Sequence, residues 1–352
     1  MAVEKIKALI TGVGGSGIGN QVLKALRMSS LKIDITGTDT TTQSTGPGEV
    51  DHFYTVPLAK DPGYIDAVLA ICKEQGIQVI FPGSEPELMV FSRSRKRIAD
   101  AGIILPINTE EVIDTCLDKF KTNRFLSENG FAFPKSFRIT QLEDVPQVDF
   151  FPVIIKPNTG GSGSSGVMIA QNKEELKVFV SFLLNISTDL VIQEYVGDAN
   201  SEYTVGVLSS MEGEVINSIA VHRVIDSGLG NKLKVKNTTG RADLGSHLVV
   251  SSGISQGRVG KYAEVTGPCE EIARKIGSKG PLNIQCRFVN GKLFVFEINP
   301  RYSGTTPLRS MVGFNEPEIM IRKYVLHETV APHFPFAEKL IMRTLKEVAV
   351  ES

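Results

Sequence analysis

Residues Val153–Ala170 read "VIIKPNTGGSGSSGVMIA". Two apolar strand-like runs flank a segment of Gly, Ser, Thr and Asn, and one lysine, Lys156, sits on the first run. Small polar residues cannot anchor a loop in a core, but their backbone N–H groups can converge on an anion. Beside a fixed positive charge, the pattern reads as a loop that closes over phosphates. The two runs then form neighbouring strands, with Lys156 beneath the lid.

Upstream, strand-like and helix-like segments alternate. "IKALITG" and "KIDITGTD" are short apolar runs, and "QVIFPGSE" is a third ending in a turn. Between them "NQVLKALRMS" places Val22, Leu23 and Leu26 on one helical face, and "YIDAVLAICKEQG" is a helix with a glycine stop. "PELMVFSRSRKRIADAG" is helix-like. Strand–helix alternation implies a parallel sheet covered on both faces. Near Ile107 the pattern changes. "NTEEVIDTCLDKFKTNRFLSENG" is helical to Gly130, and further strands follow in "DLVIQEYV", "SEYTVGVLSS", "GEVINSIAVHRV" and "KLFVFEINP", separated by turn signals. The predicted organisation is an N-terminal domain over 1–106, a second domain over 107–332 and a C-terminal extension over 333–352.

The 352 residues carry a net charge of −1, with 41% hydrophobic and 22% charged residues. This is an ordinary globular composition, with no electrostatic argument for nucleic acid or a membrane surface. Cys72, Cys116, Cys269 and Cys286 form no CxxC pair and read as packed thiols of a reducing compartment. "MAVEKIKALITG" lacks the apolar core of a signal peptide, and no run reaches the ~18 apolar residues of a membrane span. The expectation is a cytoplasmic protein.

"TGVGGSGIGN" (Thr11 to Asn20) places Gly12, Gly14 and Gly17 in GxGxxG spacing between a strand and a helix. Asp39 follows at about the 20-residue distance of an acid that meets a ribose hydroxyl. This is the fingerprint of a dinucleotide site, although any tight strand-to-helix turn also needs glycines. Other marks of a dehydrogenase are missing: none of the seven tyrosines precedes a lysine by four positions. An NAD(P)-dependent oxidoreductase using the Gly12–Gly17 loop is therefore kept as an alternative only.

The second domain holds a fuller constellation. Lys119 lies in "LDKFKTNRFLSENGFAFP" and Lys156 precedes the Thr159–Gly166 loop. Glu194 ends a strand in "VIQEYVGDANSEYTVGV", with Glu202 further on. In "NIQCRFVNGKLFVFEINPRYSG", Glu297, Asn299 and Arg301 are spaced two apart and so share a strand face. A hairpin at Asn290-Gly291 would bring Gln285 to the same face. Oxygen donors on a rigid sheet suit Mg²⁺, which completes its shell with water and phosphate oxygens. The plain alternative for "FEINPR" is a strand end with an ordinary ion pair.

Taken together and in this order, these segments resemble the ATP-grasp superfamily, most closely its carbamoyl-phosphate-synthase-like and carboxylate–amine ligase branches. The resemblance spans nearly the whole chain. It implies mixed α/β and α+β architecture: a Rossmann-like domain, then a two-lobed ATP-grasp domain with a smaller lobe at about 107–190 and a larger one at about 191–332. It further implies ATP with Mg²⁺ (or Mn²⁺). Lys119 and Lys156 would clamp phosphates, and the loop around Gly161, Ser162 and Gly163 would cover them. Glu194, Tyr195 and Val196 would read adenine, and Glu202 would hold the ribose. Gln285, Glu297 and Asn299 would hold the metal, and Arg301 would meet the transferred phosphoryl group. The lid departs from many relatives, having Ser164 and Ser165 where they carry a basic residue.

The implied activity is an ADP-forming ligase that activates a carboxylate as an acyl phosphate for attack by an amine or ammonia. The chain carries one such unit, so complete carbamoyl phosphate synthesis is not expected of it alone. The implied partners are a small carboxylate and an amine, and a homodimer is left open. Substrate contacts are assigned to Arg223, Arg241 and Ser303, although Arg241 also reads as a solvated surface residue. His222 and Arg223 face opposite ways on a strand, which leaves room for one of them to be structural. A noncatalytic nucleotide-binding subunit is the remaining alternative, opposed by the intact set of charged residues.

Overall fold

The computed structural model describes residues 5–350, apart from 16, 146, 147, 161 and 227. The N-terminal domain runs β1 (Ile6–Thr11), α1 (Ile18–Arg27), β2 (Ile33–Asp39), β3 (His52–Thr55), α2 (Tyr64–Gln75), β4 (Val79–Phe81), α3 (Glu85–Arg93) and α4 (Arg95–Asp100). Its four strands are parallel, in the order β3-β2-β1-β4. Side-chain alternation on β1 explains why both faces are covered. Ala8 and Ile10 pack with Val22, Leu23 and Leu26 of α1, whereas Leu9 packs with Val68 of α2 and Phe91 of α3. Ser94 interrupts the single helix expected after Phe81.

The glycine cluster has a packing role. A Cβ on Gly19 would lie 2.2 Å from the Thr11 carbonyl oxygen, and one on Gly83 only 1.8 Å from it. Helix α1 and the β4–α3 turn thus close directly on the end of β1. The Asp39 carboxylate accepts from the Gly14 N–H at 2.7 Å and from the Thr40 N–H at 2.7 Å, so it braces the glycine turn.

The chain continues through α5 (Glu110–Leu117), α6 (Lys119–Glu128), β5 (Ser136–Ile139), β6 (Val153–Pro157), β7 (Met168–Ala170), α7 (Lys173–Leu184) and β8 (Leu190–Glu194). The helix expected over 108–130 breaks at Asp118. Its backbone is extended, and its side chain caps α6 by accepting from Phe120 and Lys121 N–H groups at 2.9 Å. An antiparallel sheet in the order β5-β8-β6-β7 carries α7 on its apolar face.

A larger body follows: β9 (Glu202–Ser209), β10 (Val215–Arg223), β11 (Asn231–Lys236), β12 (His247–Ser251), β13 (Gly257–Gly260), α8 (Ala263–Ile276), β14 (Pro281–Val289), β15 (Lys292–Asn299), α9 (Thr306–Ser310), α10 (Glu316–Tyr324) and β16 (Lys339–Ile341). Its main sheet has the order β15-β14-β9-β10-β13-β16, and β11-β12 form a separate pair. Strands β11 and β12 fall in a stretch read above only for Arg241. On β11 Lys232, Lys234 and Lys236 face solvent while Leu233 and Val235 turn inward.

The lobe division needs correction. Val112, Cys116 and Leu126 of α5 and α6 pack into the core formed by Val205, Leu282 and Ile284, so these helices belong with the larger sheet. Strand β8 reaches past 190 and lies inside the smaller sheet. The smaller lobe is therefore 136–194 rather than 107–190, because the apolar faces of α5 and α6 point the other way. Beyond β16 the chain crosses to the N-terminal domain, where Val348 and Ala349 pack against Gly48.

A fully buried ion pair fastens α9 to α10. Arg309 donates to Glu316 at 3.1 Å and to Asn283 Oδ1 at 2.8 Å, and Gly206 makes room for its guanidinium. Removing one partner strands the other charge, so Glu316→Ala is expected to cost roughly 3–5 kcal/mol, read from urea unfolding. Gly206→Ala would set a Cβ 2.2 Å from Arg309 Nη1, an overpacking expected to cost about 1–3 kcal/mol. Wild-type unfolding midpoints in both variants would refute this account of the pair.

Candidate functional site

A cavity of about 160 Å³ opens between the smaller sheet and the larger one. Lys119, Lys156, Gly163, Glu194, Tyr195, Val196, Glu202, Gln285, Glu297, Asn299 and Arg301 all line it. A second cleft of about 820 Å³ adjoins it and shares Gly163, Gln285, Asn299 and Arg301; Arg223 and Ser303 line this one. Gly161 lies outside the described residues, and Ser162 is described only through the backbone of the 162–164 turn. Arg241 lines neither space. Its guanidinium grips Asp243 two residues away, at 2.6 and 2.8 Å, which corrects the substrate assignment.

Lys156 is 7% exposed. Its Nζ donates to Gln193 Oε1 at 2.8 Å and to the Phe296 carbonyl at 3.3 Å, both neutral acceptors. Burial, helped by the charge of Lys119 and opposed by Glu297, pushes its pKa down to about 7. Lys119 opens α6, and its Nζ reaches the carbonyls of Asn158 and Gly160 at the root of the lid. The lid itself turns through Gly163 at φ +66, where a side chain would be strained, and Ser164 Oγ donates to the Ser251 carbonyl at 2.7 Å.

The β14–β15 hairpin sets the donor group. Asn290 and Gly291 both take positive φ, as a two-residue hairpin turn requires, and Val289 pairs with Lys292. Regular pairing from there would set Gln285 opposite Phe296. Instead Gln285 pairs with Glu297 and Cys286 with Val295, leaving Phe296 as an extra, bulged residue. The bulge turns Glu297 and Asn299 into the same cavity as Phe294 and Phe296. Gln285 Nε2 donates to Glu297 Oε2 at 2.5 Å. One carboxylate with two amide groups fits a Mg²⁺ ion that takes its other ligands from water and phosphate. Among the described residues no cluster of three His, Cys, Asp or Glu offers a complete protein cage.

Glu202 and Arg223 depart from expectation. Glu202 is 2% exposed, and its two oxygens accept from Arg223 Nη1 at 3.0 Å and from Arg287 Nη2 at 3.1 Å. Burial alone would raise its pKa, but the two guanidiniums outweigh burial and hold it below the usual carboxylate range. Arg223 also donates to Ser251 Oγ and the Ser252 carbonyl. Buried charges demand partners, so Arg223 acts as a brace for Glu202 rather than a free substrate contact, and the ribose would meet a carboxylate already bonded on both oxygens. Arg287 ties this pair to the hinge, donating to the carbonyls of Val196 and Gly197 at 2.9 and 3.1 Å while stacking 4.5 Å above the Tyr195 ring. Among the described residues the Val196 N–H has no partner within the protein.

Three residues of the site were not singled out from sequence. Gln193 orients Lys156, Arg287 holds the hinge, and Glu85 on α3 accepts from Arg301 at 2.7 and 3.2 Å. Gln193 was visible as a polar residue following the apolar run of "LVIQE", and Arg287 as one of the polar residues alternating with apolar ones in "LNIQCRFV". Nothing local marks Glu85, which comes from the other domain. Arg301 also donates to Asn299 Oδ1 at 3.0 Å, so the donor strand and α3 are joined through it.

Residues 116–305 match the family model described as "ATP-grasp domain", and residues 8–106 match "PylC-like, N-terminal domain". The carbamoyl phosphate synthase large chain of Methanocorpusculum labreanum is 27% identical over 299 residues, covering 83% of this chain but 26% of that one. The chain thus spans about a quarter of the length of such relatives. An L-amino acid ligase from Bacillus licheniformis superposes with a TM-score of 0.64 at 17% identity, over 92% of this chain and 75% of that one. D-alanine–D-alanine ligase from Bacillus anthracis, complexed with ATP, gives 0.57 at 15% identity over 92% and 98%. The matched model covers more than half of the sequence and contains Lys119, Lys156, the lid, the hinge and the β14–β15 donors: the chain belongs to the ATP-grasp family.

Proposed function

We propose that this protein is an ADP-forming ligase that phosphorylates a carboxylate with ATP and joins the resulting acyl group to an amine or ammonia. The observation that carries the reading is Lys156: a buried ammonium with only neutral partners, facing a cavity beneath a closed glycine lid. An uncompensated buried cation is costly, and a phosphate oxygen is the partner that would offset the cost. Adenine would lie against the hinge, its edge meeting the free Val196 N–H. The triphosphate would run past Lys156 and Lys119 under the Ser162–Ser164 turn. Mg²⁺, when held by Glu297, Asn299 and Gln285, supplies charge neutralisation at the phosphates.

A substrate carboxylate oxygen attacks the γ-phosphorus, and the bond to the β-phosphate oxygen breaks, releasing ADP. The amine then attacks the acyl carbon, phosphate leaves, and the amine nitrogen loses a proton. Arg301, at the junction of the two cavities, would stabilise the anionic group in transfer. The lid would exclude water from the acyl phosphate. The chain covers 26% of the carbamoyl phosphate synthase large chain it resembles, so the similarity supports an ATP-dependent ligase reading and not that protein's whole activity. A nicotinamide reading gains no support from the family models, which match residues 8–106 as a PylC-like N-terminal domain and 116–305 as an ATP-grasp domain. A noncatalytic nucleotide-binding subunit would also pair Lys156 with a phosphate; what favours catalysis is the intact group of Asn299 and Arg301 where the two cavities meet, with Glu297 beside them.

Mg-ATP is expected to raise the melting temperature, with an acid and an amine together needed for full ADP release. Glu297→Gln should lower that ADP release by about 100-fold or more, on the scale of losing one preorganised electrostatic contact in a transition state. Metal-independent turnover in that variant would overturn the assignment.

Lys156 gives two predictions with a definite sign. Its folded pKa is about 7, against roughly 10.4 unfolded. Its burial therefore destabilises the ligand-free protein below pH 7, and the penalty fades as pH rises from 7 towards 10. Lys156→Met should raise the ligand-free melting temperature below pH 7, with less gain at pH 9, and abolish the Mg-ATP shift. Mg-ATP should also bind with net proton uptake near pH 7 to 8 and weaken at higher pH. Calorimetry in buffers of different protonation enthalpy reads the uptake. Equal heats in all buffers, or an unaltered uptake in Lys156→Met, would count against the lysine–phosphate contact.

A further inference from the structure

The second cleft is more basic than the protein around it. Lys24, Lys232 and Lys346 line it without forming an ion pair among the described residues, whereas its acids, Glu49 and Glu85, are engaged by Asn20 and Arg301. Overall the chain carries a net charge of −1, so this is a local concentration of positive potential.

Arg343 is the most informative member. It lies on the C-terminal segment after β16, beyond both ranges matched by the family models. Its guanidinium donates to Ser255 O at 2.9 Å, to Gln21 Oε1 at 3.0 Å and to the Gly304 carbonyl. Every acceptor is neutral, and burial pushes its pKa down to about 10. A guanidinium has five N–H donors, so three bonds leave two for a ligand. The bonds to Gln21 on α1 and to Gly304 in the turn after Arg301 fix it between the N-terminal domain and the candidate reaction centre. A separate observation marks the same space: Thr204, 2% exposed, lines the cleft with a buried hydroxyl that has no hydrogen-bond partner.

We propose that Arg343 is a specificity residue: the acid substrate carries a second anionic group, carboxylate or phosphate, which Arg343 holds while the first carboxylate is activated near Arg301. The inference rests on the ligase reading for the role of the first carboxylate. The clustered lysines would draw the dianion in, and the fixed guanidinium would orient it. Strong selectivity follows when a site's buried donors are left unpaired by a substrate lacking the matching group.

The test uses matched pairs that differ in one anionic group: glutarate against butyrate, and O-phospho-L-serine against L-serine. Each is titrated calorimetrically into the full chain, with and without Mg-ADP. At least one dianion should bind about tenfold or more tightly than its partner, and the preferred pair tells carboxylate from phosphate. Arg343→Gln should weaken that dianion about 10- to 100-fold, the scale of a hydrogen bond to a charged group, leaving the monoanion and Mg-ADP unchanged. The exposed double variant Lys24→Gln/Lys346→Gln should show a smaller loss in the same direction, which covers the case of an unfolded Arg343→Gln. Equal binding of both members of each pair, no dianion binding, or an equal loss for both members would overturn the proposal. Failure to bind Mg-ADP would instead sink the ligase reading, while dianion preference measured without nucleotide still decides the role of Arg343.

Discussion

The Glu202 carboxylate, held between two guanidiniums, is the contact on which the cleft depends. Glu202 begins β9, Arg223 ends β10 and Arg287 lies on β14, so one buried acid cross-links three neighbouring strands of the larger sheet. Through its other donors Arg287 takes the carbonyls of Val196, Gly197 and Val249, and Arg223 takes Ser251 and Ser252. Hinge, separate hairpin and main sheet are thereby set by one network. Removing Glu202 would leave two buried guanidiniums without their shared counter-charge, which is far more costly than never having had the network. The lid rests on the same assembly, since Ser164 bonds the Ser251 carbonyl.

Lys156 is the opposite case. Glu202 has two counter-charges, while Lys156 has an amide oxygen and a carbonyl. The contrast separates a charge that organises the fold from one that the fold holds ready. Buried groups whose charged form is disfavoured by desolvation, and which face a cavity, are functional candidates for that reason. Stability is given up where a ligand would restore it.

Much of this was legible in the sequence, and the failures have physical causes. The parallel N-terminal sheet followed from apolar runs alternating with helical periodicity, because both signals are local. The position of Lys156 on a strand leading into the glycine–serine loop was legible because a lysine on an apolar strand is costly and such a loop has no core to join. The spacing of Glu297 and Asn299 correctly gave them a shared face, but strict alternation from the Asn290-Gly291 turn would have aimed them away from Gln285. The bulge at Phe296 reverses that parity, and a one-residue insertion in pairing leaves no mark in residue spacing. Glu85 and the commitment of Arg223 to Glu202 were illegible because they depend on contacts between segments far apart in sequence. The lobe boundary failed for a related reason: an amphipathic helix declares its apolar face, not which sheet that face will cover. For Arg241 the solvated surface reading holds over the substrate one, because Asp243 two residues on takes its guanidinium.

The two cavities meet where Asn299, Gln285 and Arg301 belong to both, so a phosphoryl group leaving the first for the second would have to pass them. Arg301 is held there from two directions, by Asn299 on the donor strand and by Glu85 of the N-terminal domain. A rotation of that domain would therefore pull directly on the residue best placed to meet transferred charge. The second cleft is built differently from the first. Its walls come from α1, the main sheet and the C-terminal segment, three parts that are remote in sequence and joined by Arg343 and by Val348 against Gly48. A change in the C-terminal segment would thus alter what the second cleft accepts while leaving Lys156, the hinge and the β14–β15 donors in place. On the proposed reading, nucleotide handling would belong to the interior of the two facing sheets, and the choice of substrate to the seam between domains.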